Sequence, residues 1–94
     1  MISNKDLHQN KKKYTIDELE RNIYHLCLWD ILQTQVLTAN FCFTYFWSSD
    51  DEYAKDYDDK QICETDILYW QPHLTKALLY NCDVYKARLA ENSL

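Results

Sequence analysis

Four cysteines, Cys27, Cys42, Cys63 and Cys82, and three histidines, His8, His25 and His73, are the side chains with which this sequence could bind a metal or attack a substrate. A tetrahedral zinc site needs ligand pairs held close by short local spacings. There is no Cys-x-x-Cys, and the nearest pair, His25 with Cys27, sits about 200° apart around a helix and so on different faces. Each cysteine instead falls on the apolar stripe of a separate element, where a reduced thiol packs as a small hydrophobe. A Cys-His nucleophile would need partners brought together by the fold, and no Gly-rich turn or strand-to-helix elbow accompanies any cysteine. His73, beside Pro72, reads as a surface residue of a turn. These residues predict no enzyme, no metal site and no cofactor.

The densest chemistry lies in residues 48–60. There Asp50, Asp51, Glu52, Asp56, Asp58 and Asp59 are set against only Lys55 and Lys60, with Tyr53 and Tyr57 among them. Calcium is not the expected ligand, because the run lacks the alternating ligands and central glycine with which an EF-hand loop folds around the ion. Carboxylates at phosphate-like spacings can instead occupy a basic groove, and tyrosines add contact area at low entropic cost. The stretch is predicted to be a solvated, mobile acidic loop whose acids and tyrosines dock on a protein with a basic surface. The plainer reading is a solvated loop with no partner.

The formal net charge of -5 is unevenly spread: residues 1–13 carry four lysines against Asp6, and residues 14–94 carry six basic side chains against fourteen acidic ones. A folded part this acidic repels phosphate backbones, which makes nucleic acid a less favoured partner than protein. Residues 1–13 lack apolar periodicity and end in Asn10-Lys11-Lys12-Lys13, which predicts a flexible basic N-terminal arm. The opening residues hold no apolar run to direct export, and the most apolar stretch reaches about twelve residues against the roughly twenty of a membrane span. The expectation is a cytoplasmic protein, in its own cell or in a host, with reduced thiols and no membrane partner.

Positioning these groups requires a core, and Val36 to Trp47 supplies it, since nine of its twelve residues are apolar or aromatic. Phe41, Phe43, Tyr45 and Trp47 would share one face of a strand, so an α+β fold with residues 38–47 as a strand is the alternative. No turn signal links that stretch to a partner strand, and a chain with no glycine and one proline is poorly equipped for hairpins. The prediction is a single all-α domain over residues 14–94, a bundle of three to four helices with residues 38–47 as its central buried helix. Thr15-Ile16-Asp17-Glu18 has the spacing of a capping box and opens a helix with Ile16, Leu19, Ile23, Leu26, Cys27 and Ile31 inward. Thr34 or Thr38 caps the central helix. Cys63, Ile67, Trp70 and Leu74 mark a short helix stopped by Pro72, and Thr75 caps a last helix with Leu78, Cys82, Tyr85 and Leu89 inward.

Leu28, Trp29 and Leu32 lie off the first helix's stripe and, in a chain with so many aromatics, predict an exposed face for a twofold homodimer. Two helices within Thr65 to Arg88, joined at Gln71-Pro72-His73-Leu74, give the outline of a helix-turn-helix. That outline supports the alternative function, a DNA-binding transcriptional regulator aided by Lys11 to Lys13, although the turn glycine is missing. The favoured function is a small cytosolic regulator or inhibitor, of the kind phages and mobile elements encode, which docks on a partner protein through the acidic, tyrosine-bearing surface.

Overall fold

The computed structural model describes residues 1–92, and among them the chain is all-α with no strand. Where three or four helices are predicted, eight form among the described residues: α1 Asn4–Gln9, α2 Ile16–Arg21, α3 Leu28–Thr34, α4 Ala39–Phe41, α5 Tyr57–Lys60, α6 Glu64–Trp70, α7 Lys76–Leu79 and α8 Asp83–Asn92. A wider π turn carries α4 on through Cys42–Phe46, and 3-10 turns cover Ile23–His25 and Ser49–Asp51.

Local signals in the sequence start several of these helices. Thr15 and Glu18 form the expected capping box, Thr38 accepts from the Phe41 amide at 3.1 Å, and Thr75 accepts from the Leu78 amide at 3.1 Å. The interruptions have a different origin. The Asn22 side chain donates to the Glu18 carbonyl at 2.8 Å, an i to i-4 bond that competes with the helical ladder and ends α2. The amide of Cys27 then bonds Asn4 Oδ1 at 2.8 Å, and those of Leu28 and Trp29 bond the Asp59 carboxylate, so distant side chains take the bonds a continuous helix would make. The break before α8 is closed likewise, by Asn40 Oδ1 accepting from the Val84 amide at 3.1 Å.

The stretch predicted as the centre is helical. Phe41, Cys42, Phe43, Tyr45 and Phe46 are buried, packed with Leu19, Leu26, Leu28, Ile31, Leu32, Ile67 and Leu79. Its aromatics divide between two clusters. Tyr45 meets Phe41 at 4.6 Å and Tyr53 at 4.8 Å between ring centroids, while Phe43 meets Trp47, Tyr80 and Tyr85 at 4.8, 5.7 and 5.1 Å. Val36, at its edge, is 49% exposed.

α3 and α6 run side by side in the same direction. Trp29 and Asp66, near their N-terminal ends, border one notch, and at their C-terminal ends the Gln71 amide donates to the carbonyls of Leu32 and Gln35 at 2.9 and 2.8 Å. Gln71 Oε1 also accepts from the Leu37 amide at 2.8 Å. Gln35 performs the same service for the N-terminal segment: its Nε2 donates to Leu7 and Asn10 carbonyls and its Oε1 accepts from the Tyr14 amide. Both glutamines are buried with every amide hydrogen and one oxygen lone pair engaged.

Three expectations are corrected. Residues 1–13 are not a flexible arm: Ser3 and Asp6 form a capping box, Leu7 is fully buried, and Asn4 and Ile2 bond Cys27 and Asn22. One leucine among polar residues leaves no periodicity to read. Leu28 and Leu32 are not an oligomer face, because the chain's own α5 and α6 pack over α3; only Trp29 is half-exposed. The last helix is cut at Tyr80 to Cys82, which turns Leu78 outward at 53% exposure, leaves Leu89 exposed and buries Leu79 instead. The four residues of α7 therefore take the place of the long second helix on which the helix-turn-helix outline rests.

Candidate functional site

The acidic stretch is folded, and one of its own acids holds it down. Asp59 is 0% exposed. Its Oδ2 accepts from the amides of Leu28 and Lys55 at 3.1 and 2.9 Å, and its Oδ1 from the Trp29 amide at 3.0 Å. It therefore caps α3 from 30 residues away while closing the turn that leads into α5. Asp56, the N-cap of α5, accepts from the Asp59 amide at 3.0 Å. Asp59 is thus not part of a partner-binding surface, as its place in a run of acids suggests, because it spends both oxygens on backbone amides.

Tyr53 is half-buried and packs between Tyr45 and Tyr24, so it too serves the fold more than the surface. Asp50, Asp51, Glu52, Asp56 and Asp58 are exposed, and Tyr57 is 73% exposed. Asp50 and Asp51 both lie in the left-handed region, with φ of 59° and 51°. In a chain without glycine, aspartate is among the residues that enter this region at least cost.

The one lysine at the middle of the acidic stretch is turned toward the backbone. Lys55 turns its ammonium onto the carbonyls of Ile23 and Tyr53, both at 2.8 Å, and burial moves its pKa below the ordinary lysine value. One of the two lysines interleaved with the acids is thereby occupied with the backbone.

Beside the acids, Trp29, Asp58, Gln61 and Asp66 line a notch of about 190 Å³. The sequence places Asp58 in the site but assigns Trp29 elsewhere and passes over Gln61 and Asp66. Only the packing of both α5 and α6 against α3 brings them together.

The Cys27 thiol and the carboxylates of Asp56 and Asp59 each offer an atom within 4.8 Å of the others. Each already has a role in the fold: Asp59 accepts from three backbone amides, Asp56 caps α5 through Oδ1, and Asn4 donates to Cys27 Sγ at 3.2 Å. Burial, with Asp59 and Asp30 nearby, pushes the Cys27 thiol above its ordinary pKa, which keeps it protonated at neutral pH.

The cysteines do not share one environment as predicted. Cys42 is buried, Cys27 and Cys82 are intermediate, and Cys63 is exposed. Burial pushes Cys42 up to about 12. With an aromatic disulfide reagent at neutral pH, Cys63 is expected to react first and Cys42 at least about a hundredfold more slowly, near the rate of global unfolding. Peptide mapping of the time course checks the order, and early labelling of Cys42 would contradict it.

Comparison of the chain with protein families, curated proteins and solved structures gives no match.

Proposed function

We propose that this chain is a small cytoplasmic protein that regulates or inhibits another protein by docking on it, and that the partner presents arginine on a basic surface. The observation that carries the reading is the Trp29 notch, with an indole on one wall and the carboxylates of Asp58 and Asp66 beside it. A guanidinium can lie on an indole face while bonding carboxylates in its own plane, and cation-π contact of this kind adds about 1–2 kcal/mol where water is excluded. Asp50, Asp51, Glu52 and Asp56 surround the contact with negative potential that draws a basic partner in. The Asp59 clamp holds these acids on folded backbone, so less ordering entropy opposes binding.

The test is titration with oligo-arginine and oligo-lysine peptides, followed by capture of partners from cell lysate. Replacing Asp50, Asp51, Asp56 and Asp58 by Asn is expected to weaken oligo-arginine binding at least about tenfold, or about 1.4 kcal/mol, and to reduce its salt dependence. The melting temperature should hold, because asparagine caps α5 as well as aspartate does. Trp29→Ala should remove the preference for arginine over lysine. If the fourfold variant binds and captures as the parent does, the acidic surface is not the docking site.

A further inference from the structure

We infer that a second site, at the opposite end of α3 from the acidic surface, binds a small aromatic or apolar molecule carrying a single carboxylate. A cleft of about 350 Å³ opens there, lined by Lys12, Val36, Trp70, Pro72 and His73 with Gln33 to Gln35 and Gln71 behind them. This is the lower end of the range for small-molecule sites.

The walls are apolar and wet. Trp70 is 38% exposed and Val36 49%, next to exposed Pro72, so an apolar body gains by covering them. The floor offers little polar purchase. Gln71 and Gln35 direct their amides to buried backbone groups, and the Thr34 hydroxyl donates to the Asp30 carbonyl at 2.6 Å. Apart from the half-buried Gln33, specificity must therefore come from the rim.

There the charge is positive, against the sign of the whole protein. The docking of α1 fixes Lys12, whose amide donates to the Thr34 carbonyl at 2.7 Å and whose φ is 60°. The ion pairs formed among the described residues are His8 with Asp30, Arg21 with Asp17 and Lys76 with Glu64, so no carboxylate there neutralises Lys12. Lys11 and Lys13 are exposed on either side of it. His73 donates from Nε2 to the Leu37 carbonyl at 2.6 Å, which holds its ring at the edge of the cleft. An unpaired ammonium on an anchored backbone, beside an indole and an aliphatic wall, suits an anionic head on an apolar body, and it repels cations.

The probes are 2-naphthoate and its neutral counterpart 2-naphthamide, followed by 1H–15N NMR on the intact chain. Naphthoate is expected to give saturable shifts confined to Lys12, Val36, His73 and the Trp70 indole, with naphthamide at least about tenfold weaker. Lys12→Asn, chosen because asparagine tolerates positive φ, should weaken naphthoate to the level of naphthamide. Should that variant lose its fold, the two probes on the parent chain still decide. The inference is overturned if naphthoate produces no saturable shift by about 5 mM, the weak end of small-ligand affinity. It is also overturned if both probes bind equally, if the shifts map elsewhere, or if the same residues shift with protein concentration alone, which would mean that a second copy's acidic segment fills the cleft.

Discussion

An Asp59→Ala variant is expected to lose about 3–5 kcal/mol of unfolding free energy, the largest effect of any single exposed or buried acid in the chain. The truncation strands the amides of Leu28, Trp29 and Lys55 in a site that the parent closes to water, and it empties the space the carboxylate fills. A domain this size has only about 5–15 kcal/mol in total, so the variant should be partly unfolded at 37 °C. Asp58→Ala, one residue away on the exposed side, should stay within about 0.5 kcal/mol of the parent. Urea denaturation followed by circular dichroism compares the two. Equal midpoints would mean that the carboxylate does not anchor the acidic segment.

Gln71→Leu is expected to cost about 3–4 kcal/mol, even though leucine is close in size and more apolar. The parent amide answers three buried backbone groups, the Leu37 amide and the carbonyls of Leu32 and Gln35, and leucine answers none. Gln61→Leu provides the control, since Gln61 is exposed and should shift stability by no more than about 0.5 kcal/mol. Hydrogen exchange adds a reading specific to the mechanism: the Leu37 amide should lose its protection in Gln71→Leu before the amides of α8 do. A variant as stable as the parent would remove the glutamine from any structural role.

What the sequence makes legible here is local. Thr15, Thr38 and Thr75 cap helices that begin where they stand, and the apolar density of residues 36–47 marks the core and the all-α class. The long-range caps cannot be read that way. Asn4, Asn40, Asp59 and Gln71 bond backbone groups 23 to 44 residues distant, and nothing in their neighbourhoods distinguishes them from ordinary surface polar residues. Asp59 is the clearest instance, hidden by five acids that do face solvent. The same omission misplaces the helix ends. Extended Leu26 and Cys27 interrupt the stripe predicted from Ile16 to Ile31, so that Leu28 and Leu32 are buried along with Ile31 while Cys27 is half-buried, and the break at Tyr80 to Cys82 gives Leu79 the buried place predicted for Leu78. The acidic surface is legible as a composition, and the Trp29 notch is not, because its residues meet only through the packing of α5 and α6 on α3.

The direction of these caps also sets an order of events on the ribosome. α3 carries Leu28, Ile31 and Leu32 into the core, yet at seven residues it is too short to persist alone, and two of its anchors, Asp59 and Gln71, are translated after it. Between the emergence of the aromatic run ending at Phe46 and the arrival of Gln71, the nascent chain has only the upstream part of its core, Leu19 to Leu32, to set against its most apolar segment. In that interval the apolar run is open to chaperone capture or aggregation.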